Sequence, residues 1–225
     1  MRLVEATRLG KRTMIQLVRR IVSLLDLSNT QEILLLGSFP PGAEGFASCL
    51  SKLGDFHQID ELASIRECLR DDRPTILISF VGLGTASGFL MNRTSGGQNQ
   101  TLPESWWKPH GEQRAHVFSF ACYSFDYFNS SDVMSQLSGA VGYEGEIWLQ
   151  LTEDHFWVEL IRRIIGLLRE EERIGSSFYA KVQALYSSSI LNNKSGPEGS
   201  ISYLSHIALV QQSQSLKVIP GGYDL

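Results

Sequence analysis

The chain has 225 residues, a formal net charge of −4, and a composition that is 43% hydrophobic and 20% charged. This length suits a single α/β domain with a sizeable core, and without a basic run the charge points to no nucleic-acid partner. Three scattered cysteines, Cys49, Cys68 and Cys122, fit neither a disulfide framework nor a clustered zinc site, so no metal or other cofactor is expected.

Met14, Leu17, Val18, Ile21, Leu24 and Leu25 recur at helical spacing with arginines opposite, predicting an amphipathic helix over 12–26. Arg19 and Arg20 interrupt the apolar run, so residues 1–30 read as a helix packed on the domain rather than a membrane span or signal peptide. Without a secretion signal, the Asn-x-Ser/Thr matches at Asn92, Asn99, Asn129 and Asn193 read as chance, and a reducing cytoplasm is the expected compartment.

"EILLLGSF" from Glu32 is a continuous apolar run of the kind that forms a buried parallel strand. "GFASCLSKLG" predicts a helix stopped by Gly54, "FHQID" a weak strand, and "LASIRECLRDD" a second helix with Leu62, Ile65 and Leu69 on one face. "TILISFVG" is the strongest strand signal. From Leu83 to Arg114 runs a stretch rich in Gly, Asn, Thr and Pro, long enough to suggest a functional or mobile loop. In it, Trp106 and Trp107 read either as a lid or partner anchor or as a cluster pinning the loop to the sheet. "AHVFSFA" predicts a fourth strand, "SSDVMSQLSGA" a helix capped by Ser131 or Asp132, and "VGYEGEIWLQL" a fifth strand. Helices follow over His155–Arg173 and Ser177–Leu191, then "NNKSGPEGS" as a loop and "HIALVQQ" and "LKVIP" as late strands.

Strand and helix alternate from residue 32 onward, which argues for a parallel sheet covered on both faces, in residues 31–225. Sites in such sheets lie beyond the carboxyl ends of the strands. Two strands end there in small residues: "ISFVGLG" in Gly82-Leu83-Gly84, and "HVFSFAC" in Cys122. Cys122 reads as a buried core thiol or as a nucleophile whose thiolate is held by backbone amides. The Gly82-Leu83-Gly84 turn reads as a plain tight turn or as the source of the Gly84 amide, which with the Cys122 amide would form an oxyanion hole. "GLGTASG" is no phosphate loop, since no Gly-Lys-Ser/Thr follows.

A strand ending in Gly-His-Gly, a variable insertion, and a strand ending in Ala-Cys form the pattern of caspase-like cysteine peptidases. This sequence resembles them, most closely the bacterial CHAT-domain branch, over roughly Gln31 to Leu225, with "GAVGYEGEIWLQ" looking like the family's fifth strand. The resemblance implies a caspase-like three-layer sandwich, a mostly parallel six-stranded sheet with helices on both faces. It places the nucleophile on Cys122, the oxyanion donors on the amides of Gly84 and Cys122, and the general base on Leu83, which cannot transfer a proton. An acidic pocket near such turns often selects a basic substrate residue; Asp126 and Glu144 are the substrate-binding candidates, with Asp132 and Glu146 beside them.

No other histidine stands in easily. His110 lies before the "HVFSFA" strand and His116 at that same end, with Cys122 after the strand, roughly 20 Å away at ~3.3 Å per extended residue, whereas a base must reach to about 3 Å. His110 serves as base only if the long loop folds back. His57, His155 and His206 read as packing or surface residues. The leading expectation is a caspase-like domain with an impaired or inactive peptidase site, acting as a regulatory or partner-binding subunit. Two alternatives stand beside it: an active cysteine endopeptidase using Cys122 with a base from elsewhere, and a flavodoxin-like or Rossmann-like small-ligand-binding domain with Cys122 in its core. The resemblance further implies protein or peptide partners, including a homodimer or heterodimer through a late edge strand, with neither nucleic acid nor membrane.

Overall fold

The computed structural model describes residues 30–59, 62, 64–69, 73–91, 100–107, 113–130, 132–171, 173–192 and 201–220. The predicted N-terminal helix and His110 lie outside them.

Strands β1 (Thr30–Leu36), β2 (Phe56–Gln58), β3 (Thr75–Val81), β7 (Arg114–Phe120), β8 (Gly139–Tyr143) and β9 (Leu216–Pro220) form one sheet in the order β2-β1-β3-β7-β8-β9. All its pairings are parallel except β8 with β9. The central strands β1, β3 and β7 carry long buried runs because both faces are covered, and alternate residues go to opposite sides. Leu34, Leu36, Leu77, Phe118 and Phe120 face one core cluster, whereas Ile33, Leu35, Ile76, Ile78, Phe80 and Val117 face the other.

The first face carries helices α1 (Glu44–Leu50), α3 (Asp154–Glu171), α4 (Ser176–Asn192) and α5 (Tyr203–Ser215). Helix α3 buries Trp157, Ile161, Ile164 and Leu168, the stripe that helical periodicity demands. The second face carries helix α2 (Ser124–Ser130), which contributes Tyr127 and Phe128, together with single turns of 3-10 helix. The result is the predicted α/β sandwich with a mostly parallel six-stranded sheet.

Five local readings change. The predicted helix over "LASIRECLRDD" is a 3-10 turn at Ile65–Glu67: Ser64 is extended (φ −160°), and the Cys68 carbonyl accepts from the Gln31 side chain instead of continuing a helix. The long stretch after Leu83 carries order in its described residues, while 92–99 and 108–112 lie outside them. It holds a small antiparallel sheet, β4 (Gly84–Thr85), β5 (Gly88–Met91) and β6 (Gln100–Thr101), then a 3-10 turn with Trp106 and Trp107 buried. The helix expected in "SSDVMSQLSGA" lies earlier, at Ser124–Ser130, and Asp132–Gln136 forms a 3-10 turn. The fifth strand ends at Tyr143: the Glu144 amide makes one further bond in the β9 register, to Ser215 O at 2.8 Å, and Gly145 then turns left-handed (φ +74°). "HIALVQQ" is helical: Ser202 caps α5 by accepting from Ser205 N at 3.3 Å, and Ser205, Ala208, Leu209 and Gln212 are buried at i, i+3, i+4 and i+7. "LKVIP" is the edge strand as predicted.

Candidate functional site

Three turns meet beyond the carboxyl ends of the central strands. After β1, Gly37 N donates to Val81 O at 3.0 Å and Ser38 N to Leu90 O at 3.0 Å; after β3, Leu83 N donates to Ser38 O at 2.8 Å and Gly82 N to Phe120 O at 3.2 Å. The Leu83 carbonyl accepts from Leu90 N at 3.0 Å, which folds β5 back onto the turn.

The third turn carries Cys122, and Gly84 abuts it. A Cβ on Gly84 would overlap the Cys122 carbonyl oxygen and stand 3.2 Å from the Ala121 methyl, so only glycine permits this approach. The turns of Leu83 and Cys122 are neighbours, as the sequence pattern requires.

Tyr123 follows in the left-handed region (φ +54°), unusual for a residue with a large side chain. Its amide donates to Gly145 O at 2.6 Å, and its hydroxyl donates to Glu146 at 3.4 Å. Ser124, fully buried, secures the bend by donating to Ala121 O at 2.8 Å and accepting from Tyr143 N at 2.9 Å. Such over-determination is what holds a strained backbone in place.

The Cys122 sulfur is half-buried and occupied. It accepts from Ile147 N at 3.4 Å, and its S–H points to Ile147 O at 3.7 Å. Burial pushes the thiol above its ordinary value; the Ile147 amide opposes this, and the Glu146 carboxylate adds to the rise. The balance favours the neutral thiol over the thiolate. Among the described residues no imidazole contributes to its environment.

The remaining predicted residues are spread about. Asp126 accepts from Gly145 N at 3.0 Å, bracing the segment over Cys122. Glu144 is exposed and pairs with Lys217 of β9 at 3.5 Å, at the edge of the sheet. Asp132 is exposed in its 3-10 turn. His116 is buried and accepts from Ile174 N at 3.0 Å, a packing role, and His57 and His155 are exposed. Trp106 and Trp107 pack with Phe89, Tyr127 and Phe128, which decides for the cluster that pins the segment to the sheet.

Sequence reasoning missed Ile147 and Tyr123. The signal for Ile147 was Gly145, which ends the strand early; Tyr123 left none, since nothing in its type announces a positive φ. Among the described residues there is no cluster of metal-ligating side chains and no helix long and apolar enough to cross a membrane. No family model matches the chain, and no curated protein is significantly similar to it.

Proposed function

We propose that this chain is a caspase-like domain of the CHAT type whose cysteine-peptidase site is inactive, and that it serves as a regulatory or partner-binding subunit. One observation carries the reading: the turn that would present the base lies against Cys122, and it presents Leu83. Leucine neither draws a proton from the thiol nor returns one to a leaving amine, a role worth roughly 10²–10⁴ in rate. The raised thiol value and the neighbouring Glu146 act in the same direction.

The ligand-binding alternative has less support. An open α/β sheet takes its ligand in the crevice where strand order reverses, here between β1 and β3. That crevice is stitched shut by the Ser38, Leu83 and Leu90 hydrogen bonds, and a Cβ on Gly82 would stand 2.9 Å from the Gly37 α-carbon. The partner proposed is a protein or peptide, with β9, the antiparallel edge strand, as the pairing edge for a second copy or an active paralogue.

The test is a restoring variant. Wild-type chain is expected to show negligible hydrolysis of basic, acidic or small-residue peptides, and Leu83→His to raise labelling of Cys122 by a thiol-directed peptide warhead. Cys122-dependent cleavage by the wild type overturns the reading, and its loss in His110→Ala would locate the base.

A further inference from the structure

The segment Glu144–Gln150 has no regular secondary structure, yet its backbone is tied down residue by residue. Glu144 N donates to Ser215 O, and Gly145 N to the Asp126 carboxylate. Gly145 O accepts from Tyr123 N, Glu146 O from the Gln211 side chain, and Trp148 O from Gln212 Nε2 at 2.6 Å. Between these anchors the two polar backbone atoms of Ile147 meet the Cys122 sulfur. Most anchors are single bonds to side chains or turns, not rungs of a ladder, so they release at lower cost than a strand does. Just beyond Ile147, Trp148 stands 57% exposed, an unusual position for so large an apolar side chain.

We propose that Glu144–Gln150 is a strap that closes over Cys122 and opens as a unit while the sheet stays folded, with Asp126 and Gln211 as its latches. Its bearing on acyl transfer rests on the reading above; its bearing on access to the sulfur does not. On this view the site is shut twice, by the leucine and by the strap. Leu83→His then restores full warhead labelling only in a chain whose strap is also loosened.

Alkylation of the full-length chain by iodoacetamide, followed cysteine by cysteine by mass spectrometry, tests the strap without reference to peptidase activity. In the wild type Cys122 is expected to react far more slowly than free glutathione. Asp126→Ala and Gln211→Ala are each expected to raise its rate about tenfold, as loss of one latch enlarges the open population, with Cys49 and Cys68 unchanged. Should Asp126→Ala speed all three cysteines alike through unfolding, Gln211→Ala and hydrogen exchange decide. The Gly145 and Ile147 amides are expected to exchange faster than those of Ala140–Val141 in β8. Exchange of the strap only at the rate of β8, or a Cys122 rate that neither variant changes, overturns the proposal.

Discussion

The two faces of the sheet are built in different ways. One is covered by long helices, α3 and α4 with 18 and 17 residues, whose buried side chains are largely aliphatic. The other is covered by one seven-residue helix, 3-10 turns and a small antiparallel sheet, held together by Phe80, Phe89, Trp106, Trp107, Tyr127 and Phe128. A long helix distributes its attachment over many turns. Short elements attach through a few large rings, and Phe89 alone meets four of them, with centroids 4.2 to 5.6 Å away. Stability on the second face is therefore concentrated, and the turn beside Cys122 hangs from it through β5.

Trp107→Ala tests that concentration most severely. Trp107 is fully buried against Phe89, Trp106 and Phe128, so the loss should be about 3–5 kcal/mol, read from the urea midpoint. A loss as small as that of a surface substitution would break the comparison. Gly84→Ala comes next: the added methyl meets backbone, the Cys122 carbonyl, which cannot move as a flexible side chain can. A cost of about 1–3 kcal/mol is expected, with altered alkylation of Cys122 as a second readout.

On the helical face one buried polar feature is a chain of contacts, Tyr143 to Tyr186 at 2.6 Å and Tyr186 to Gln212 at 3.1 Å. Tyr186→Phe leaves the Gln212 acceptor without that donor and should cost about 1–2 kcal/mol. The same residues set an alkaline limit. Burial raises Tyr143 and Tyr186 above the ordinary tyrosine value, and on the second face it pushes Tyr127 up to about 12. Raised acids stay protonated in the folded chain while the unfolded chain ionises, so this stability is complete below pH ~10. It is lost as pH rises from there through the folded values. Urea midpoints measured from pH 9 to pH 11 should fall, and fall less steeply in Tyr186→Phe.

The smallest effect has the opposite sign. Gly166 sits inside α3 with no atom within 4 Å of where a Cβ would lie. Gly166→Ala should therefore stabilise by about 1 kcal/mol through helix propensity alone. A destabilised Gly166→Ala, seen in thermal melts, would mean that the helical face is more tightly constrained than the open space around Gly166 implies.

How much could be read in advance follows the same division. Helices α3 and α4 were legible because a 3.6-residue apolar period sustained over several turns arises almost solely from a helix buried along one stripe. Strands β1, β3 and β7 were legible because an unbroken apolar run must be buried on both sides. Cys122 and Leu83 were legible as a pair because topology forces the ends of adjacent parallel strands together. The hairpin at Gly88 and the 3-10 turns were not, since structures of two to five residues leave no periodicity. "HIALVQQ" misled because a run of seven residues fits strand or helix, and the decision lay outside it, in the Ser202 cap. The strap stayed hidden because bonds from Asp126 and Gln212 to distant backbone carry no local signature.

The final helix and the edge strand adjoin without a connecting residue: α5 closes at Ser215 and β9 opens at Leu216. A hinge needs slack in which to dissipate motion, and here there is none. Gln211 and Gln212 grip the strap from one end of a ten-residue stretch whose other end is the border strand of the sheet among the described residues. The strap and the border strand are thus anchored on one unbroken stretch of chain, with no loop between them to absorb a displacement of either.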